Sequence, residues 1–98
     1  MTYHLNTDFS YCVDIQNIKL IDQRKNKMIT LNYPEAAIFD LLIKQYPHKT
    51  LIRTLSKIGL LTEIHAENLI GDTIDFLVQN NVLMPESSRG KYSNHITM

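Results

Sequence analysis

Two short apolar stretches, Ile18-Lys-Leu-Ile-Asp22 and Lys27-Met-Ile-Thr-Leu31, stand on either side of the polar run Gln23-Arg-Lys-Asn26. Segments of this length, rich in β-branched and long apolar residues and broken by polar ones, predict a β-hairpin. Its turn needs a residue at positive φ, and Asn26 tolerates that conformation better than any residue but glycine. Beyond the hairpin the apolar period changes. Asn32-Tyr-Pro-Glu35 reads as a helix start, with a capping side chain three residues before a Glu and Pro34 in the first turn. Ala37, Ile38, Leu41 and Leu42 then recur on one face until Pro47 stops the helix. Thr50 is expected to cap a second, shorter helix with Leu51, Ile52, Leu55 and Ile58 inward and Gly59 at its end. Thr62 caps a third, from Glu63 to about Asn80, with Ala66, Ile70, Ile74, Leu77 and Val78 facing the core.

A hairpin of two to three short antiparallel strands followed by three helices is an α+β, winged helix-turn-helix layout with the wing placed first. The remaining segments are read as accessories. Residues 1–14 form a loose lead-in, with a short strand expected near Tyr11 to Ile15. Residues 15–84 carry the domain, in which Val82-Leu-Met84 adds a last strand or simply packs. Residues 85–98, rich in Ser, Gly, Asn and Lys, are expected to form a flexible tail. With 98 residues of which 44% are apolar, the chain closes one hydrophobic core and no more.

Lone Cys12 has no partner for an internal disulfide, and no stretch has the length and hydropathy of a membrane span or the pattern of a signal peptide. A cytoplasmic protein is expected. Ten basic residues balance ten acidic ones, which gives the whole molecule no electrostatic footprint for nucleic acid or anionic lipid. The distribution is uneven, with eight basic against five acidic residues up to Lys57, then five acidic residues and no Lys or Arg from Ile58 to Ser88. His4, His48, His65, His95 and Cys12 do not fall at metal-ligand spacing, and there is no glycine-rich phosphate loop or nucleophile elbow. No metal, no cofactor and no catalytic residue is assigned, and the chain is read as a non-enzyme.

The third helix carries a feature that its core stripe does not require. Leu69 and Phe76 lie roughly 80–120° to one side of Ile70, flanked by His65 and Asp72. Either they widen the core contact with the hairpin, or they wall a groove that takes apolar side chains of a partner and offers it a carboxylate. The second hairpin strand, Met28 to Leu31, supplies the complementary half. At a sheet edge its main-chain groups would accept an added strand, unless the chain's own N-terminal segment already covers them.

These residues also resemble a known family. Leu20-Ile-Asp-Gln-Arg-Lys-Asn-Lys-Met-Ile-Thr-Leu-Asn32, Ala37-Ile-Phe-Asp-Leu-Leu42, Gly71-Asp-Thr-Ile-Asp-Phe-Leu77 and Asn81-Val-Leu83 together are similar to the PqqD-like pattern, with Asn26 where that family often has glycine. The resemblance covers about Ile15 to Met84. It implies a winged-helix module that recognises the leader of a ribosomally made precursor peptide and delivers it to a modifying enzyme, such as a radical enzyme, peptidase or cyclase. It further implies a leader held as an extra strand, contacting Lys27, Met28, Ile29, Thr30 and Leu31 on the hairpin and Leu69, Asp72, Thr73 and Phe76 on the third helix. The rival reading is a winged-helix DNA-binding regulator, since fold does not fix function. Against it stands a third helix with four carboxylates and no Lys or Arg, where base and phosphate contacts lean on basic residues. Neither nucleic acid nor membrane is expected as a partner.

Overall fold

The computed structural model describes residues 3–59 and 61–85. Five strands and three helices follow in the order β1 (Tyr3–Leu5), β2 (Phe9–Val13), β3 (Asn17–Asp22), β4 (Lys27–Asn32), α1 (Glu35–Ile43), α2 (His48–Gly59), α3 (Glu63–Gln79) and β5 (Leu83–Pro85). The expected hairpin is β3 and β4, paired antiparallel from Asn17↔Asn32 to Asp22↔Lys27. Its turn is closed from both sides. Asn26 takes φ 56°, and the Asp22 carboxylate accepts from the N–H groups of Arg24 (3.0 Å) and Lys25 (3.2 Å), the local bonding that makes Asp a turn former.

Residues 3–14, within the expected loose lead-in, contain two strands. β2 pairs with the far side of β3, from Phe9↔Asp22 to Val13↔Ile18, so it starts two residues before the anticipated strand and leaves Ile15 exposed in the turn. β1 pairs with β5, Tyr3↔Pro85 to Leu5↔Leu83, in a separate two-stranded ladder. Of the two possibilities for Val82–Met84, a strand or simple packing, the structure takes the strand. Of the expected flexible tail, residues 85–98, Pro85 belongs instead to β5, where it pairs with Tyr3, and residues 86–98 lie outside the described ones.

Helix starts show two differences. Asn32 does not cap α1, because its register against Asn17 keeps it in the sheet; Pro34 occupies the cap without a side-chain bond, and its carbonyl accepts from Ala37 and Ile38. α2 begins at His48, with the Pro47 carbonyl accepting from Thr50 (2.9 Å) and Leu51 (3.2 Å), so Thr50 lies inside the first turn. The third start is as expected: the Thr62 hydroxyl accepts from the His65 N–H at 3.2 Å.

One core joins the sheet to the helices. Ile18, Leu20 and Leu31 from the sheet meet Phe39, Leu51, Leu55, Ile70 and Leu77. On α1 the buried set is Ala36, Ile38, Phe39 and Leu42, with Ala37 and Leu41 half-buried. The stripe is turned toward the sheet, where Phe39 meets Tyr11 edge to face at 5.5 Å. Ile58, expected inward on the face it shares with Leu51 and Leu55, is instead 64% exposed. On α3, Thr73 is buried alongside Ala66, Ile70 and Leu77, while Ile74 and Val78 are half-buried.

Candidate functional site

The three-stranded sheet has the order β2-β3-β4, so β4 is an outer strand. Among the described residues nothing pairs with its outer side, and the N-terminal segment, the candidate to cover it, is committed to β3 and β5 instead. Which main-chain groups point outward is a matter of parity. The Asp14 N–H donates to the Asn17 carbonyl (2.8 Å) and the Gln23 N–H to the Asp8 carbonyl (2.9 Å). In an antiparallel ladder bonded pairs alternate with unbonded ones, so Asn17, Lys19 and Ile21 turn their main-chain groups toward β2. Ile18, Leu20 and Asp22 then bond Leu31, Ile29 and Lys27 of β4. Met28, Thr30 and Asn32 are left with N–H and C=O aimed away from the sheet. The side chains of Ile29 and Leu31 turn toward the core, and those of Met28 and Thr30 are exposed.

Across from this edge runs α3, antiparallel to β4. Between them lies a cleft of about 440 Å³ lined by Thr30, Leu31, Asn32, Glu35, Leu69, Asp72, Thr73 and Phe76. Two of these residues divide between the readings of the extra helical stripe. Leu69 is half-buried and packs on the core, whereas Phe76 remains 45% exposed, a ring standing in the cleft wall with an uncovered face. Thr73 is buried, and its hydroxyl donates to the Leu69 carbonyl at 2.8 Å. That bond satisfies the one polar side chain buried in the cleft.

A second hollow, about 370 Å³, continues along β4 toward the hairpin turn and is lined by Phe9, Asp22, Lys25, Lys27, Met28, Ile29, Gln79, Asn80 and Asn81. The nine residues singled out from the sequence therefore divide. Thr30, Leu31, Leu69, Asp72, Thr73 and Phe76 share the first cleft, while Lys27, Met28 and Ile29 border the second. Sequence reasoning missed Asn32 and Glu35, which it assigns to a capping box. The alternation of Met28 and Thr30 extends to Asn32, and a Glu not needed for capping is free to face the cleft. It also missed Gln79, Asn80 and Asn81, the continuation of α3 beyond Phe76, where Asn81 at φ 62° turns the chain into β5. The ion pairs of Arg24 with Asp8 (3.4 Å) and of Lys44 with Asp40 (3.1 Å) involve no residue lining the first cleft. Lys44 has its pKa raised, first by the hydrogen bond to Asp40 and then by that carboxylate's charge.

An open strand edge facing a helix across an apolar cleft defines a class by geometry: a small α+β domain whose outer strand has room beside it for a further one. Two solved structures of this fold are complexes with a leader peptide. The chain is similar to a lasso peptide synthetase B1 complexed with the leader peptide, with a TM-score of 0.80 and 20% identity over 87% of this chain and 100% of that one. It is also similar to TbiB1 in complex with the TbiA(beta) leader peptide, with a TM-score of 0.74 and 11% identity over 82% of this chain and 93% of that one. At these identities the likeness is one of fold, and it is the fold that the PqqD-like resemblance implied. Comparison of the sequence with family models and with curated proteins finds no match.

Proposed function

We propose that this chain is a peptide-recognition module that binds the leader of a ribosomally made precursor peptide and delivers it to a modifying enzyme. In this reading the leader adds as a strand beside β4, bonding the outward main-chain groups of Met28, Thr30 and Asn32. Its cleft-side residues enter between Leu31 and the α3 wall of Leu69, Asp72, Thr73 and Phe76. Lys27, Met28 and Ile29 border the strand as it passes the second hollow. The observation that carries the reading is the free β4 edge set opposite an exposed aromatic ring, and the leader-bound neighbours of the same fold support it. Main-chain bonds supply affinity in this mode, and the pockets select sequence.

In this reading the chemistry belongs to the enzyme that receives the peptide. Among the described residues no group of three or more His, Cys, Asp or Glu side chains gathers as a metal site, and the cleft lining holds no Ser, His, Cys or Lys. No described helix is long and apolar enough to cross a membrane. The test is a titration of the precursor peptide encoded beside this chain's gene, followed by calorimetry and by backbone NMR. Saturable binding with shifts confined to β4 and α3 is expected. Absence of binding, or shifts elsewhere, would reject the reading.

A further inference from the structure

The groove has unlike ends. Where β4 finishes, the first cleft holds the carboxylates of Glu35 and Asp72 and no Lys, Arg or His. Where β4 begins, the second hollow holds Lys25 and Lys27. Asp22, the carboxylate at that end, is engaged in the turn by the N–H groups of Arg24 and Lys25. The carbonyls closing α3 beside it are also taken: Phe76 accepts from Asn80, Val78 from Asn81 and Leu77 from Val82. Neither lysine and neither cleft carboxylate is in an ion pair among the described residues. The first cleft therefore has a net negative lining and the second hollow, with Asp22 against Lys25 and Lys27, a net positive one, and the two ends are about 17 Å apart along the strand from Lys27 to Asn32.

Resting on the function proposed above, we propose that this polarity reads the order of charges in the bound peptide. Every strand pair among the described residues is antiparallel, and an added antiparallel strand bonds slightly better per residue than a parallel one. A peptide entering antiparallel to β4 meets Asn32 first and Lys27 last. The preferred partner therefore carries a Lys or Arg on its N-terminal side, over Glu35 and Asp72. About five residues later it carries an Asp or Glu, beside Lys25 and Lys27. Opposite charges set at both ends fix direction and register, which apolar pockets along a strand leave under-determined. The same order reversed would place like charges together at both ends.

The experiment is a selection from displayed random peptides long enough to span the groove, run against the full chain, against Phe76→Ala, and against the charge-exchanged variant Glu35→Lys, Asp72→Lys, Lys25→Glu, Lys27→Glu. Peptides enriched on the wild type are expected to carry the basic residue N-terminal to the acidic one. A synthetic pair differing only in that order should differ roughly three- to tenfold in affinity, the scale of two partly exposed ion pairs. The charge-exchanged variant should reverse the preference; if its thermal melt shows it unfolded, the milder pair Asp72→Lys with Lys27→Glu should abolish the preference instead. Enrichment without charge order, or with the opposite order, overturns this inference and leaves peptide recognition standing. No enrichment over Phe76→Ala overturns both.

Discussion

Thr73 donates its hydroxyl hydrogen to the carbonyl of Leu69 one turn earlier, at 2.8 Å, and both residues line the cleft beside β4. A buried hydroxyl satisfied within its own helix asks nothing of a ligand. Thr73→Val is therefore expected to keep peptide binding and to change stability by only about 0.5–1.5 kcal/mol, the net worth of one hydrogen bond. Parallel urea denaturation and peptide titration check this. A large loss of affinity at unchanged stability would show that the hydroxyl contacts the peptide directly.

Phe76 and Phe39 make a matched contrast. Phe76 is 45% exposed and Phe39 wholly buried. Phe76→Ala should weaken peptide binding by about 1–3 kcal/mol, roughly five- to a hundredfold, with a melt close to wild type. Phe39→Ala should cost about 3–5 kcal/mol of folding stability, because it also strips Tyr11 of its edge-to-face partner. A collapsed melt for Phe76→Ala would move that residue from the cleft to the core.

The parity of β4 separates neighbouring positions. Thr30→Pro removes an N–H that points outward, a loss an edge strand tolerates, so the fold should persist while peptide binding is lost. Ile29→Pro removes an N–H bonded to Leu20 across the ladder and should destabilise the sheet itself. Circular dichroism melts and peptide titrations of the two variants check the assignment, and equal melts would contradict it.

Duplex DNA is not expected to bind specifically. α3 presents Glu63, Glu67, Asp72 and Asp75 and no Lys or Arg, the wrong charge for a helix that must approach phosphates. Gel shifts with the chain's own upstream region, at low and at physiological salt, check this. A salt-sensitive, sequence-specific complex would revive the regulator reading.

What could be read from the residues depended on how locally each signal was encoded. The β3–β4 hairpin announced itself through two apolar runs and Asn26, and the α3 start through Thr62, because those signals lie within a few residues of what they specify. The Leu69 and Phe76 stripe was visible from angle alone, although its exposure was not. Of the β1–β5 ladder only the second strand was legible, as one of two readings of Val82-Leu-Met84; β1 and the pairing were not, since each strand is three residues long and its partner lies at the other end of the chain. Asn32 was misjudged because a residue at a strand-to-helix boundary satisfies two local patterns, and the register with Asn17 decides between them. Thr73 was overlooked as core since its hydroxyl counts as polar until its bond to Leu69 is seen.

The ladder between β1 and β5 also has a mechanical meaning. Its outermost rung is Tyr3 with Pro85, and behind the innermost, Leu5 with Leu83, come the bonds from Asn6 to Val82 and Asn81. Tension drawn through the two ends would load these rungs one at a time, as a zipper is opened, rather than all at once in shear. The clasp would open from Tyr3 inward, where the Gln45 side chain also donates to the Tyr3 carbonyl at 2.8 Å, and the bonds at Asn6 would be the last to part.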